Sequence, residues 1–409
     1  MTTRHTITLA LRIAVASTVL SVLAPATADV SLADAIRAGK VYANFNLRSE
    51  SVDQDNALED ASALTLRTRL GYQTGQYRGF SGLLEVEDSR IVAGQNEFTV
   101  GPTGFNPGVY SVIADPETTE LDQALIQYTG NNFVAKLGRQ VIAFDNHRFI
   151  GHVGWRQDRQ TFDGFRLNYT GFQGVTASYA YVGQRNRIFA EDGDIDSEDH
   201  FLNVGYASPI GKVVGYAYLL EVDNNVSNGL DTVGAFLEGA REIGETNKLL
   251  YHLQVASQEA DNGGATFDTT YLRAEAGVGF KPVTVKLGYE RLGSDDGNFG
   301  FSTPLSTLHA HNGWSDQFLA TPAQGLVDVA LTLTGGLAGG KWLAVYHDFE
   351  ADEATETIDD LGSELNLQYT RTFAEKYNIG LKFATYDAGD PAAGKVDKNI
   401  FWAWFNTGF

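Results

Sequence analysis

Cysteine is missing from all 409 residues, which rules out a disulfide framework, a thiolate metal site and a thiol nucleophile. Methionine occurs once, at position 1, and proline only nine times. After residue 28 no run of about 18 apolar residues occurs, so no spanning helix is encoded there. Positive charge is also scarce: 30 Lys and Arg stand against 51 Asp and Glu, a formal net charge of −21. That balance argues against a nucleic-acid partner, because neutralising phosphates needs a basic footprint. Abundant instead are Gly (44), Phe (24) and Tyr (18), the composition of many strands joined by glycine turns.

The N-terminus carries Arg4 and Arg12, an apolar run from Ile13 to Ala24 and a small-residue site at Ala26-Thr27-Ala28. This is the pattern of a cleaved secretory signal over residues 1–28, its apolar stretch too short to remain as an anchor. Its removal takes two arginines and moves the net charge from −21 to −23.

Beyond residue 40 the hydrophobic period is 2. In SALTLRTRLGYQ, Leu64, Leu66, Leu70 and Tyr72 share one face, while Thr65, Arg67, Arg69 and Gly71 share the other. KPVTVKLGYERL, DGFRLNYT and KYNIGLKFATY repeat the alternation. Eighteen such segments are readable, from 41–51 through 79–89 to 397–409. The connections after even segments are short, such as GNN, KP, GLAG and FAE. Those after odd segments are longer, with four very long ones at 90–119, 141–159, 185–199 and 293–325. Alternating long and short connections around an even number of strands predicts an all-β fold: one transmembrane antiparallel barrel over residues 29–409. Lipid on one face and a polar lumen on the other explain why only 43% of residues are hydrophobic.

The informative side chains are then the lumenal ones. Arg48, Arg67, Arg69, Arg166, Arg273 and Lys286 fall in mid-strand, where guanidinium forks suit carboxylate or phosphate groups. They either line a solute path or pair with lumenal Glu85, Glu87, Glu275 and Glu290 to stiffen the wall. The stretch 136–167 is the most cationic, with Lys136, Arg139, Arg148, Arg156, Arg159 and Arg166 against Asp145, Asp158 and Asp163. It spans strand, long connection and strand, so it is placed to fold into the barrel mouth, with Trp155 and Phe149 offering stacking faces to sugar rings. Acidic runs at 191–199 and 350–360 read as solvated loops without EF-hand spacing. His309 and His311 lack the helical spacing of a metal pair, and no catalytic constellation or cofactor motif is evident.

Two stretches, LGRQVIAFDNHRFIGHVGWRQDRQTFDGFRLNY (137–169) and FSTPLSTLHAHNGWSDQFLATPAQGLVDV (301–329), resemble the signature segments of the alginate-export family of outer-membrane porins. The resemblance implies an 18-stranded monomeric barrel in the outer membrane of a Gram-negative cell. It also implies a basic pathway for an anionic polyuronate, to which Arg139, Arg148, Arg156, Arg159 and Arg166 would correspond. An exporter proper carries a long periplasmic turn late in the barrel, whereas the late turns here, GLAG and FAE, are minimal. The reading is therefore a passive channel for anionic or carbohydrate solutes, with polysaccharide export and a surface enzyme or adhesin as alternatives. Its solute pathway is expected to include Arg67, Arg69, Arg139, Arg148, Arg156, Arg159, Arg166, Arg273, Lys286 and Trp155. The expected partners, besides a solute, are outer-membrane lipid, lipopolysaccharide and the barrel-assembly machinery. The machinery would read the C-terminal strand NIFWAWFNTGF ending in Phe409. In that strand Phe401, Phe405 and Phe409 are expected to face lipid. Trp402 and Trp404, of opposite parity, either line the lumen or mark a bulge.

Overall fold

The computed structural model describes residues 31–101, 106–223 and 228–409, so the expected signal, residues 1–28, lies outside the described residues. A short helix, α1 (Leu32–Arg37), is capped by the Ser31 hydroxyl, which accepts from the Asp34 N–H, and leads into the wall.

The wall starts with β1 (Lys40–Gln54), β2 (Ala61–Gln73), β3 (Phe80–Glu97), β4 (Thr118–Thr129), β5 (Phe133–Gln140) and β6 (Thr161–Tyr169). It continues with β7 (Val175–Asn186), β8 (Ile195–Ser208), β9 (Gly211–Glu221), β10 (Asn228–Ile243), β11 (Asn247–Asn262), β12 (Ala265–Gly279) and β13 (Val283–Leu292). A separate two-residue hairpin, β14 (Ser294–Asp295) and β15 (Phe299–Gly300), follows. The wall ends with β16 (Leu326–Leu337), β17 (Gly340–Glu350), β18 (Asp360–Phe373), β19 (Tyr377–Asp387) and β20 (Lys398–Gly408). These eighteen wall strands pair antiparallel with their sequence neighbours, and β1 closes on β20 from Asn44↔Gly408 to Gln54↔Lys398. Closure gives every strand two partners, which removes the unpaired edge that hydrocarbon penalises.

The alternation read from the sequence becomes inside and outside. On β2, Thr65, Arg67 and Arg69 are buried in the lumen while Leu70 is 56% exposed on the outer face. Leu137, Leu287 and Leu381 are likewise more than half exposed on their strands, so the barrel presents an apolar exterior. At the short-turn rim aromatic rings cluster: Phe80 meets Tyr128 at 4.8 Å, and Tyr128 meets Phe133 at 5.5 Å. The hydrophobic core lies inside the barrel. Ile142, Phe149 and Ile150 pack with Phe301, Leu305 and Phe318, and the lumenal faces of Phe201, Tyr216, Tyr271 and Phe349 complete the cluster.

Two points sharpen the sequence reading. Strand β3 runs to Glu97, past the expected end at 89, and β11 reaches Asn262 before a tight turn into β12. Their upper ends pair beyond the height that lipid requires, since about ten residues suffice to cross it. The register of β20 against both neighbours runs without a shift, so Trp402 and Trp404 point inward on true alternation and mark no bulge. Phe401 and Phe405 are exposed outside, and Trp402 is completely buried.

An outward-facing charge at mid-strand should be costly. Leu287→Arg is expected to lower stability by about 2–4 kcal/mol, read as a shift of the urea unfolding midpoint for protein refolded into liposomes.

Candidate functional site in the lumen

Residues 141–160 and 301–325 leave the long-loop rim and fold into the barrel, and the strip 155–160 shows what holds them. Arg156 donates to both oxygens of Glu50 on β1, at 3.2 and 3.0 Å, and to Asp316 of the second segment at 3.1 Å. Gln157 donates its side-chain amide to Thr65 Oγ1 at 2.8 Å, and its backbone N–H to Asp115 at 3.0 Å. Arg159 forks onto Asp122 at 3.0 and 2.6 Å and reaches Glu85 at 2.6 Å. Asp122 is the extra residue at a register shift of β4 against Glu85 and Val86 of β3, and that bulge aims its carboxylate at Arg159. Buried Arg48 pairs with Asp115, donates to the Trp155 carbonyl and lies 5.1 Å from the Trp155 ring centroid.

The second segment is tied just as densely. Arg148 bonds Glu290 at 2.7 Å and Asn312 at 2.9 Å, and Asn312 in turn donates to Asp328 at 3.1 Å. Glu364 on β18 accepts from the backbone N–H groups of Trp314 and Ser315 and from the Ser315 hydroxyl. His309 bonds Asp316 through Nδ1 at 2.8 Å, and its Nε2 meets Lys382 Nζ at 2.6 Å. Burial pulls the His309 pKa down to about 3, with Lys382 and Arg156 adding to the effect and Asp316 opposing it. A neutral ring protonated at Nδ1 fits both contacts, donating to Asp316 and accepting from Lys382. His311 turns elsewhere, half-buried in the field of Arg148 and Glu290. Among the described residues no group of three or more His, Asp or Glu is arranged to hold a metal ion.

Of the nine cations expected on the solute path, eight stand within 4.0 Å of a carboxylate. Arg67 and Arg69 share Glu87, and Arg273 and Lys286 share Glu275. Arg148 and Arg156 are buried within the segments' packing. Arg139 is bidentate to Asp163 at 2.8 and 2.9 Å, but its strand parity is that of outward Leu137, which puts it off the lumenal face. Arg166 has no carboxylate partner among the described residues; its Nε donates to Asn168 and its guanidinium lies over Phe144. The ring of Trp155, expected as a stacking face for a sugar, is used internally: it stacks on His309 at 4.9 Å and 8°, and meets Trp402 and Trp404 edge-on. Lys382, which sequence reasoning passed over, sits at the centre of these rings, with Nζ 3.8 Å from Trp314, 4.2 Å from Trp155 and 5.2 Å from Trp402. Its only sequence signal is a lone lysine on the lumenal parity of NIGLKFATY.

Beside the second segment lies a cavity of about 280 Å³, lined by Arg273, Glu275, Lys286, Glu290, His311 and His347 among others. Its walls thus carry both signs of charge.

One acid in the first segment is out of its ordinary state. Burial, with Glu120 and Glu87 close by, pushes Asp158 up to about 9, against the opposing N–H of Ala190. The docked segment therefore holds Asp158 protonated at neutral pH. A freed Asp titrates near 3.9, so docking draws on a proton: that contribution is full below about pH 4 and is lost as pH rises through about 9. Hydrogen exchange of the 151–160 amides is expected to accelerate between about pH 6 and pH 9.5, beyond the intrinsic base-catalysed rate. Asp158→Asn, neutral throughout, should flatten that profile. Arg156→Ala, which leaves Asp316 only the neutral His309 and Glu50 only Arg48, should cost about 3 kcal/mol of segment docking. The readout is larger and noisier single-channel current from a barrel that still migrates as folded on unheated gels.

The family model for alginate export matches residues 30–286. The fold is similar to crystal structures of two Pseudomonas aeruginosa outer-membrane proteins and one from Acinetobacter baumannii. The opdK protein aligns with TM-score 0.71 at 12% identity, over 90% of this chain and 98% of its own. OccK9 (OpdG) aligns with TM-score 0.70 at 14% identity over 92% and 100%, and OccAB1 of A. baumannii with 0.70 at 12% over 92% and 97%. OpdK has also been crystallised with vanillate. Comparison with curated protein sequences returned no match.

Proposed function

The chain belongs to the alginate export family of outer-membrane barrels, and on that premise we propose that it is a passive channel for anionic or carbohydrate solutes. The observation that carries this reading is a closed eighteen-stranded wall, apolar outside and lined with ionised and amide side chains inside. In such a barrel the short turns lie in the periplasm and the long connections outside, so the two infolded segments narrow the path from the cell surface. Paired cations and carboxylates along the lumen give a passing solute hydrogen-bond partners that replace part of its hydration. None of them is a deep electrostatic trap, as conduction requires. On a monomeric barrel the apolar exterior is the surface that lipid and lipopolysaccharide would meet, and the C-terminal strand, with outward Phe401 and Phe405, is the one the assembly machinery would read.

Passive conduction is preferred to dedicated polysaccharide export because the late turns, 338–339 and 374–376, leave no segment at that rim long enough to gate a polymer. Purified protein in planar bilayers should show stepwise ohmic current that is reduced by millimolar uronates. The absence of conductance from folded barrels under every condition would overturn the channel and favour a surface role for the long loops.

A further inference from the structure

Most of the cations expected on the solute path stand beside an acid and Lys382 is enclosed by rings, but two cations face each other across one strand pair with neither. Lys136 on β5 and Arg166 on β6 are direct register partners on the lumenal face. Neither has an ion-pair partner among the described residues, and the charge that bears on Lys136 is Arg166 itself. Their lateral neighbours in register, Gln127 on β4 and Ala180 on β7, are uncharged. Arg166 is held by a small polar relay: its Nε donates to Asn168 Oδ1 at 3.1 Å, and Ser178 Oγ donates to the same oxygen at 2.8 Å. The guanidinium rests over Phe144 of the first infolded segment, 4.9 Å from the ring centroid. This arrangement fixes Arg166 through one nitrogen and leaves its two terminal nitrogens without a protein partner. Both residues are half-buried, so the pair is open to the lumen. They lie in mid-strand on β5 (Phe133–Gln140) and β6 (Thr161–Tyr169), beside Phe144 of the first infolded segment.

Two like charges facing each other across a strand pair destabilise the wall unless an anion comes between them. Between Arg67 and Arg69 the chain supplies that anion as Glu87, and between Arg273 and Lys286 as Glu275; here, among the described residues, it supplies none. We propose that Lys136 and Arg166 form an anion subsite that takes the carboxylate of a small organic acid after it passes the infolded segments. The guanidinium fork matches the two oxygens of a carboxylate, and the lysine adds a point charge from the facing strand. A monoanion leaves the pair half-compensated and free to release it, whereas a dianion would neutralise both charges and stay, which suits conduction poorly. The inference rests on the channel reading for its physiological sense, but the subsite is defined by two residues that can be tested without conduction.

Glucuronate and glucose, alike in size and different in charge, are the probes. Isothermal titration into detergent-solubilised full-length protein should show glucuronate binding and no glucose binding. Lys136→Gln/Arg166→Gln should weaken glucuronate binding about tenfold or more, through loss of charge-assisted hydrogen bonds. Lys136→Arg should retain it. The double variant should also be at least as resistant to urea as the parent, since a repulsion has been removed, whereas removal of a structural ion pair would lower resistance. In bilayers the same variant should no longer be blocked by glucuronate. Unchanged glucuronate binding in the double variant, no binding in the parent, or a loss of stability on neutralising the pair each overturns the subsite. Binding that survives in a barrel that never conducts supports the subsite and sinks the channel reading instead.

Discussion

A backbone in hydrocarbon has no water to bond, and the rest of this molecule follows from that constraint. Every N–H and C=O of the eighteen wall strands must find a partner in the wall, so the sheet closes on itself between β1 and β20. Once closed, the two faces of each strand belong to different solvents, and a single residue decides which side a charge occupies. Lys382 is lumenal because Leu381 is not. The same logic sends all of the lumenal tryptophans inward: with β20 in unbroken register, Trp402 and Trp404 cannot share the side of Phe401 and Phe405.

An eighteen-stranded barrel encloses more space than its wall residues can fill, and this chain fills part of it with its own connections. Irregular backbone inside a barrel brings polar groups that must be satisfied. The first segment meets that demand with Arg156, Gln157, Arg159 and Gln160, each of which reaches a different strand or carbonyl. The second uses Asn312 as a junction between Arg148, Glu290 and Asp328. Buried ion pairs of this kind add little net stability over an apolar core, but removing one partner is heavily penalised. Their effect is therefore on registry: the segments have one docked position that satisfies all the charges. Lys382 shows the same principle with rings, since its ammonium is enclosed by Trp155, Trp314 and Trp402, residues drawn from both segments and the wall.

The fold was legible because period-2 alternation and the parity of loop lengths depend on local residue types and on counting. The count of wall strands, the inward parity of Arg67, Arg69, Arg166 and Lys286, and the entry of 136–167 into the lumen could all be read from the chain. Partnership was not. Whether Arg159 is free or paired depends on Asp122, 37 positions away, being turned inward by a bulge that no local pattern announces. Arg139 looked lumenal by company, in the most cationic stretch, and only its parity with Leu137 shows it on the outer face. Trp155 looked like a platform for sugar, but its rings and edges are used by His309, Trp402 and Trp404, contacts of long sequence separation.

This changes what the signature stretch 137–169 means physically. Its Arg148, Arg156, Gln157, Arg159 and Gln160 are spent on docking, so the motif describes how this barrel is plugged more than what it admits. Selectivity must then come from residues whose side chains are not already engaged. Pairing Arg148 with Glu290 confines its field to a few ångströms, because equal and opposite charges at 2.7 Å leave only a dipole to a solute across the lumen. An unmatched cation pair keeps its full field over a Debye length of about 8 Å. Two uncompensated charges therefore influence a passing anion more than an equal number of paired ones, and the number of arginines in a lumen is a poor guide to its selectivity unless each is checked for its acid.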